Sequence, residues 1–286
     1  METNAAESRD LLLRKFAFGE EDFTALRELV KAHTGIHLTD QKRELVYGRL
    51  SRRLRALGLD SFRAYRQILE RGDSDELVQF CNAITTNLTS FFREAHHFEY
   101  LREQVFRSRA TDTRGPRRLR FWSAGCSSGE EPYSLAMTIY ESLPEARRWD
   151  VKILATDLDT EVLARGQRGV YDEDRVRGLS AARLERFFRG DDHGKSVRYA
   201  VTQELRDLIT FRELNLMRAL PMKGPFDAIF CRNVIIYFDK DTQRELFARI
   251  AQLQRPGDLL FLGHSESLYR VSDAYTLVGK TIYRRS

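Results

Sequence analysis

The chain has 286 residues, 42% hydrophobic and 31% charged, with a formal charge of +5 and a pI of about 9.1. That length and apolar content support a soluble globular protein with a real core, no apolar run approaches the roughly 18 residues of a membrane span, and the start METNAAESRDLLLRKF is not a signal peptide. Cys81, Cys126 and Cys231 show no Cys-x-x-Cys spacing, which fits a reducing cytoplasm and gives no disulfide or zinc framework, and the positive charge permits an acidic partner without naming one.

Residues 1–86 read as helical throughout. Phe23, Leu26, Leu29 and Val30 recur at helical spacing, and this helix stops near Thr34-Gly35. His33 and His37 straddle Gly35, so they read as surface histidines rather than a metal pair. The next helix, capped by Thr39 or Asp40, runs to Gly58. At about 100° per residue, Val46, Tyr47, Leu50, Leu54 and Leu57 share one face. Lys42, Arg49, Arg52, Arg53 and Arg55 lie on the other, with Glu44 the single acid of that span. Residues 1–86 contain 14 basic and 14 acidic side chains, so a neutral region concentrates positive charge on one helix. Both a solvated face and a docking face fit that pattern. Two further helices are predicted at 60–69 and 75–82.

The stretch Thr85-Thr86-Asn87-Leu88-Thr89-Ser90-Phe91-Phe92-Arg93-Glu94 is polar and then aromatic. Thr89 or Ser90 can cap a helix over 91–105, but three threonines and an asparagine exceed what capping needs. Residues 106–118 read as a polar, basic Gly-Pro link on the surface.

From Leu119 the rhythm becomes strand, helix, strand. Leu119, Phe121 and Trp122 have the bulk of a buried parallel strand, and Gly125-Cys126-Ser127-Ser128-Gly129 breaks it. Glu130-Glu131-Pro132 then opens a helix, as acids and proline at a first turn do. Such a turn lets a backbone approach a nucleotide-like ligand, and it equally suits an ordinary tight connection. The spacing is not Gly-x-Gly-x-x-Gly, and the two glutamates oppose a phosphate at the helix start, so a cationic or neutral nucleoside fits better. A second strand, 151–157, ends in Asp157, an acid placed to hold ribose hydroxyls. Further strands are predicted at 226–231 and 259–263, a helix at 239–253, and a closing hairpin at 275–284 turned at Gly279-Lys280. Residues 170–206 interrupt the alternation as a small, partly strand insertion. The pattern implies a mostly parallel sheet with helices on both faces.

Five blocks, TTNLTSFFRE, FWSAGCSSGEEPYS, ILATDLDTEVL, FDAIFCRNVIIYFD and LFLGHSES, resemble in order those of the bacterial chemotaxis-receptor glutamate methyltransferases. The likeness covers nearly everything after about residue 20. It implies an α/β class I methyltransferase fold: a doubly wound, mostly parallel sheet with a closing antiparallel hairpin, an inserted β-subdomain and an N-terminal all-α domain. The corresponding expectation is a helical domain at 1–86, a linking helix and connector at 87–118, and a methyltransferase domain at 119–286 with its insertion at about 170–206. The implied reaction moves a methyl group from S-adenosyl-L-methionine to receptor glutamates, leaving S-adenosyl-L-homocysteine. Carried over by motif, Asn87, Thr89, Arg93, Gly125, Glu131, Asp157, Asn215, Leu216, Arg232 and Asn233 are expected around the cofactor. Arg93 and Tyr237 are expected nearest the transferred methyl, although a tyrosine there also reads as a core-edge residue. No metal is expected. Gly125-Cys126 departs slightly from the family, whose members vary among small residues there.

The resemblance also gives Arg49, Arg52, Arg53 and Arg55 a use, docking the acidic cytoplasmic helices of a chemotaxis receptor. In some relatives the insertion grips a peptide at the receptor's C-terminus; its length here is compatible. A cytoplasmic monomer recruited to membrane receptors, without inserting into the bilayer, is the expected setting. Glutamate is ionised near neutral pH, with a pKa of about 4.3, so the reaction needs no Ser-His-Asp or Cys-His group. A nucleic-acid methyltransferase would be expected to show Asn/Asp-Pro-Pro-aromatic where Asn233-Val234-Ile235-Ile236-Tyr237 stands, and no basic tract is interleaved with aromatics. A non-catalytic adaptor would have no need of Asn87, Arg93, Asp157, Asn233 and Tyr237 together, and a nicotinamide dehydrogenase would need the missing glycine fingerprint.

Overall fold

The computed structural model describes residues 15–111, 117–143, 146–192 and 197–286. The expectations for the start of the chain, for part of the 106–118 link and for the centre of the insertion lie outside the described residues. The chain divides into two compact units, one up to Thr85 and one from Thr86 to Ser286.

The described residues of the first unit form four α-helices. Helix α1 (Glu20–Thr34) buries Phe23, Leu26 and Val30 and ends at Gly35, whose φ of 74° only glycine takes without strain. A 3₁₀ turn, Asp40–Lys42, opens what sequence spacing reads as one helix, and α2 (Arg43–Ala56) follows it. Val46, Leu50 and Leu54 are buried as expected. Leu57 is 40% exposed, because it lies past the last helical residue and is carried off the apolar face. Helix α3 (Phe62–Glu70) is capped by Ser61, whose Oγ accepts from Ala64 N at 3.3 Å, and α4 (Ser74–Ile84) by Asp73. Phe18 and Phe62 pack with ring centres 4.4 Å apart at the centre of this core.

In the second unit the helix expected from Phe91 begins later. Phe92 and Glu94 have φ values of 53° and 56°, which no α-helix can contain. Helix α5 (His96–Tyr100) runs through a π-helical Leu101–Phe106 into α6 (Arg107–Thr111), so the start of the predicted link is helical. Then follow β1 (Arg118–Ala124), α7 (Glu130–Ser142), β2 (Asp150–Asp157) and α8 (Thr160–Arg168). The insertion holds β3 (Val170–Asp172), α9 (Glu173–Val176), α10 (Ala181–Phe187), β4 (Phe188–Asp192), β5 (Val197–Val201) and α11 (Gln203–Arg206). The chain returns through β6 (Ile209–Glu213), β7 (Ala228–Cys231), α12 (Lys240–Ala251), β8 (Leu259–Leu262), β9 (Tyr275–Gly279) and β10 (Ile282–Arg285).

Seven strands form the main sheet in the order β6-β2-β1-β7-β8-β10-β9. β6, β2, β1, β7 and β8 are parallel, and β10 and β9 close the sheet antiparallel. The insertion is a separate antiparallel sheet, β3-β5-β4. Alternate residues of β1 feed two cores: Leu119 and Phe121 pack with Phe106, Met137 and Phe230, while Trp122 and Ala124 pack with Leu246, Ile250 and Leu260. A parallel sheet buried on both faces accounts for the continuous apolar runs of β7 and β8. All three cysteines are buried, Cys81 in the first unit and Cys126 and Cys231 in the second.

Candidate functional site

The strand order reverses at β1, which lies between β2 and β7, and the crevice outside the carboxyl ends of these strands is where ligands bind such sheets. Gly125 follows β1 with φ 86°, and a Cβ there would sit 2.4 Å from Val234 Cγ2. Gly125 N and Cys126 N donate to Thr156 O at 2.8 and 2.9 Å, binding the loop to β2. Asp157 ends β2; Oδ2 accepts from Ser127 N at 2.8 Å and Oδ1 from Asp159 N at 3.0 Å. Burial pushes the Asp157 carboxyl up, and these two N–H groups pull against that. An ionised carboxylate has about four acceptor positions, so Asp157 has room for further hydroxyl donors. Asn87 closes this side: its carbonyl accepts from Ser127 Oγ at 3.1 Å and its Nδ2 donates to Asp159 Oδ2 at 2.6 Å. Asp159 Oδ1 meanwhile caps α8.

Arg232, immediately after β7, gathers the other side. Its side chain is 2% exposed and pairs with Glu131 at 3.1 Å and Glu94 at 3.4 Å, and it donates to the carbonyl of Arg93. Glu131, in the first turn of α7, also accepts from Ser123 Oγ at 2.7 Å. Burial pushes Glu131 up, and Arg232 opposes it. Burial also works to raise Glu94, but hydrogen bonds from His264 and the charge of Arg232 prevail and bring it to about 2. The Glu94, His96 and His97 ligand atoms lie within 4.8 Å of one another, a spacing a metal ion can use. Glu94 is already engaged there by Arg232, at 3.4 Å, and by His264, at 3.0 Å.

Arg93 Nη1 donates to Leu88 O at 2.7 Å, closing the loop that carries Thr89. The Thr89 carbonyl accepts from Arg175 Nη1 of α9 at 3.2 Å, and the same guanidinium lies 3.4 Å from buried Glu130. Tyr171 of β3 donates to Ser128 O at 2.7 Å, so the insertion braces the glycine loop. Asn215 and Leu216 follow β6, next to β2; Asn215 Oδ1 accepts from Met217 N at 2.9 Å, and Leu216 is buried. Asn233 stands at φ 60°. Tyr237 ends a 3₁₀ turn, Ile235–Tyr237, half-buried, and its N–H donates to Val234 O at 3.3 Å.

Residues 87–284 match the family described as CheR methyltransferase, SAM binding domain, and residues 21–85 match CheR methyltransferase, all-alpha domain. The chain belongs to the CheR methyltransferase family. This methyltransferase is 44% identical over 280 residues to the chemotaxis protein methyltransferase of Escherichia coli (strain K12), covering 96% of the chain and 94% of the relative. It is 45% identical over 274 residues to chemotaxis protein methyltransferase 2 of Pseudomonas aeruginosa, covering 94% and 95%. It is 35% identical over 260 residues to that of Borreliella burgdorferi, covering 87% and 89%. The sheet, hairpin and insertion are the class I architecture that the motifs imply.

In the all-alpha domain of the methyltransferase the four arginines separate. Arg49 donates to the carbonyls of Ile84 and Thr85 at 2.6 and 2.7 Å, closing the end of α4. Arg53 Nε donates to Glu76 Oε1 at 3.1 Å, and Tyr65 OH to the same oxygen at 2.7 Å. Arg52 and Arg55 of the set are exposed, and Arg49 and Arg53 are half-buried. The helical wheel places all four opposite the apolar stripe, but it cannot see that α4 packs against one flank of that face. Glu94, Asp159 and Glu266 join the candidate site in the structure and were missed by spacing; a second acid two residues after Asp157 was the available signal for Asp159.

Proposed function

We propose that the chain esterifies glutamate side chains of chemotaxis receptors with the methyl group of S-adenosylmethionine, releasing S-adenosylhomocysteine, in the service of sensory adaptation. The observation that carries this reading is the meeting of Gly125, Asp157 and Asn233 at the carboxyl ends of three adjacent parallel strands. The donors fit the cofactor: Asp157 offers acceptor positions to a ribose diol, while Glu130 and Glu131 at the start of α7 turn away a phosphate. Asn87, Thr89, Asn215 and Leu216 line this pocket in the proposal.

When bound, S-adenosylmethionine supplies a methyl group on a positively charged sulfur that departs as a neutral thioether. The acids around Arg232, namely Glu94 and Glu131, with Asp157 and Glu266 on either side, favour a cation over an anion. The acceptor glutamate is ionised at neutral pH, so the chain's task is placement and exclusion of water, which supplies up to roughly 7–11 kcal/mol. Arg93 keeps one nitrogen on Leu88 O and has further N–H groups to orient a carboxylate. A tight ion pair there would blunt the nucleophile, so its orienting role is secondary to ordering the loop. Tyr237 packs beside the reacting carbon.

Arg52 and Arg55, the exposed pair of α2, align the acidic receptor helix, with Arg49 and Arg53 holding α2 in place for them. In this reading the enzyme is a cytoplasmic monomer recruited to membrane receptors, and the β3-β5-β4 sheet is where a receptor tail peptide docks. No described helix is long and apolar enough to cross a membrane. Tritiated methyl transfer to receptor-containing membranes tests the proposal. Label lost in mild alkali is the expected result, as an ester requires; label surviving alkali points to nitrogen and ends it.

A further inference from the structure

The turn after β7 has an unusual occupant. The amides of Asn233, Val234, Ile235 and Ile236, four successive N–H groups, converge on one carboxylate, that of Glu266, at 2.7, 2.9, 2.9 and 3.3 Å. Gly263 N adds a fifth at 2.6 Å. Concave runs of backbone N–H groups of this kind bind anions, and here the anion is a side chain of the same protein. Glu266 is 5% exposed, and a buried carboxylate is tolerated only when hydrogen bonds replace its water. Five donors do so; burial still pushes the Glu266 carboxyl up, and these N–H groups pull against that. Two glycines fit the turn closely. A Cβ on Gly263 would lie 2.4 Å from Asn233 Nδ2 and 2.8 Å from Glu266 Oε2, and a Cβ on Gly125 would strike Val234.

The turn runs from Arg232, fixed by Glu94 and Glu131, to Tyr237, whose N–H donates to Val234 O at 3.3 Å. Gln243 Nε2 donates to Ile235 O and Phe238 O at 2.8 and 3.0 Å, but this fixes the far side of the turn and not Asn233. We propose that Glu266 is a positioning residue for methyl transfer: its carboxylate holds Asn233 in a left-handed conformation and sets the span between Arg232 and Tyr237. It acts through these residues and touches neither substrate nor cofactor. The inference rests on the proposed pocket at Gly125, Asp157 and Asn233.

Glu266→Gln keeps the shape and places an amide NH₂ against backbone donors. The full chain is assayed by circular dichroism, calorimetry with S-adenosylhomocysteine, hydrogen exchange, and kcat and KM for receptor methylation. The expected variant is folded, binds S-adenosylhomocysteine at least about tenfold more weakly, and exchanges the amides of 233–236 faster while other core amides keep their rates. KM for receptor should stay within about twofold, because the docking residues are elsewhere. A uniform rise in exchange with unchanged affinity would make Glu266 merely structural and overturn the proposal. Should Glu266→Gln not fold, Gly263→Ala pushes the same turn without altering charge; wild-type affinity and exchange in that variant also overturn it. Asp157→Asn and Asn233→Ala separate the two levels. If neither weakens S-adenosylhomocysteine binding, the pocket is misplaced; if both do and Glu266→Gln does not, only the positioning role falls.

Discussion

His97 is fully buried, with Nε2 facing Lys280 O at 3.3 Å and Thr281 Oγ1 at 3.1 Å. Burial, helped by the charges of Arg232 and His96, pushes its pKa down to about 3. The unfolded chain takes up a proton at this residue near pH 6.5 and the folded chain does not, so its contribution is fully present above pH 6.5 and is lost as pH falls toward 3. Between pH 7 and 5 the loss is about 2 kcal/mol, and Glu94, held at about 2, adds to it only below its unfolded value of 4.5. His97→Gln, which cannot be protonated, should show a smaller drop in the urea midpoint between pH 7 and 5; an identical drop would mean other groups carry the acid sensitivity. Neither role was legible in the sequence. Glu94 meets His264 across 170 residues, and no local spacing reports such a pairing. The positions of Asp157, at the end of β2, and Asn233, two residues past β7, were legible, because each lies in a block whose order already fixes its neighbours.

Among the elements, α2 separates structure from docking. Arg53 neutralises Glu76, which is 6% exposed and shared with Tyr65, so Arg53→Ala leaves a buried carboxylate short of its cation. The expected loss is about 2 kcal/mol of stability, read by chemical denaturation, with receptor methylation lowered as a consequence. Arg55→Ala should shift stability by no more than about 0.5 kcal/mol yet weaken receptor methylation, most at low ionic strength. If Arg55→Ala leaves receptor methylation intact, the basic face is solvated surface. Periodicity revealed these helices because each has one apolar stripe against one core. It missed β6, since five residues of weak alternation, Ile209–Glu213, follow directly on the insertion and pair only with β2. It misjudged the start of α5 because left-handed residues at Phe92 and Glu94 leave no mark in an aromatic run.

At the largest scale the chain forms two compact units. The first is the all-alpha domain; the second is a sheet covered on both faces, whose two apolar layers draw only on residues after Thr85. Alternation of strands and helices made the second readable from sequence, whereas nothing local announced that the insertion would reach back to the glycine loop through Tyr171 and to Thr89 and Glu130 through Arg175. The burial of all three thiols has a practical outcome. Cys81 is 8% exposed in one core, and Cys126 and Cys231, 1% and 0% exposed, lie in the other with their thiols pushed up by burial. A bulky alkylating reagent therefore modifies each only when its own core opens, and the chain carries a separate clock for each half. Saturating S-adenosylhomocysteine should slow the clocks at Cys126 and Cys231 and leave that at Cys81 unchanged. Equal slowing at all three would mean that the halves open together.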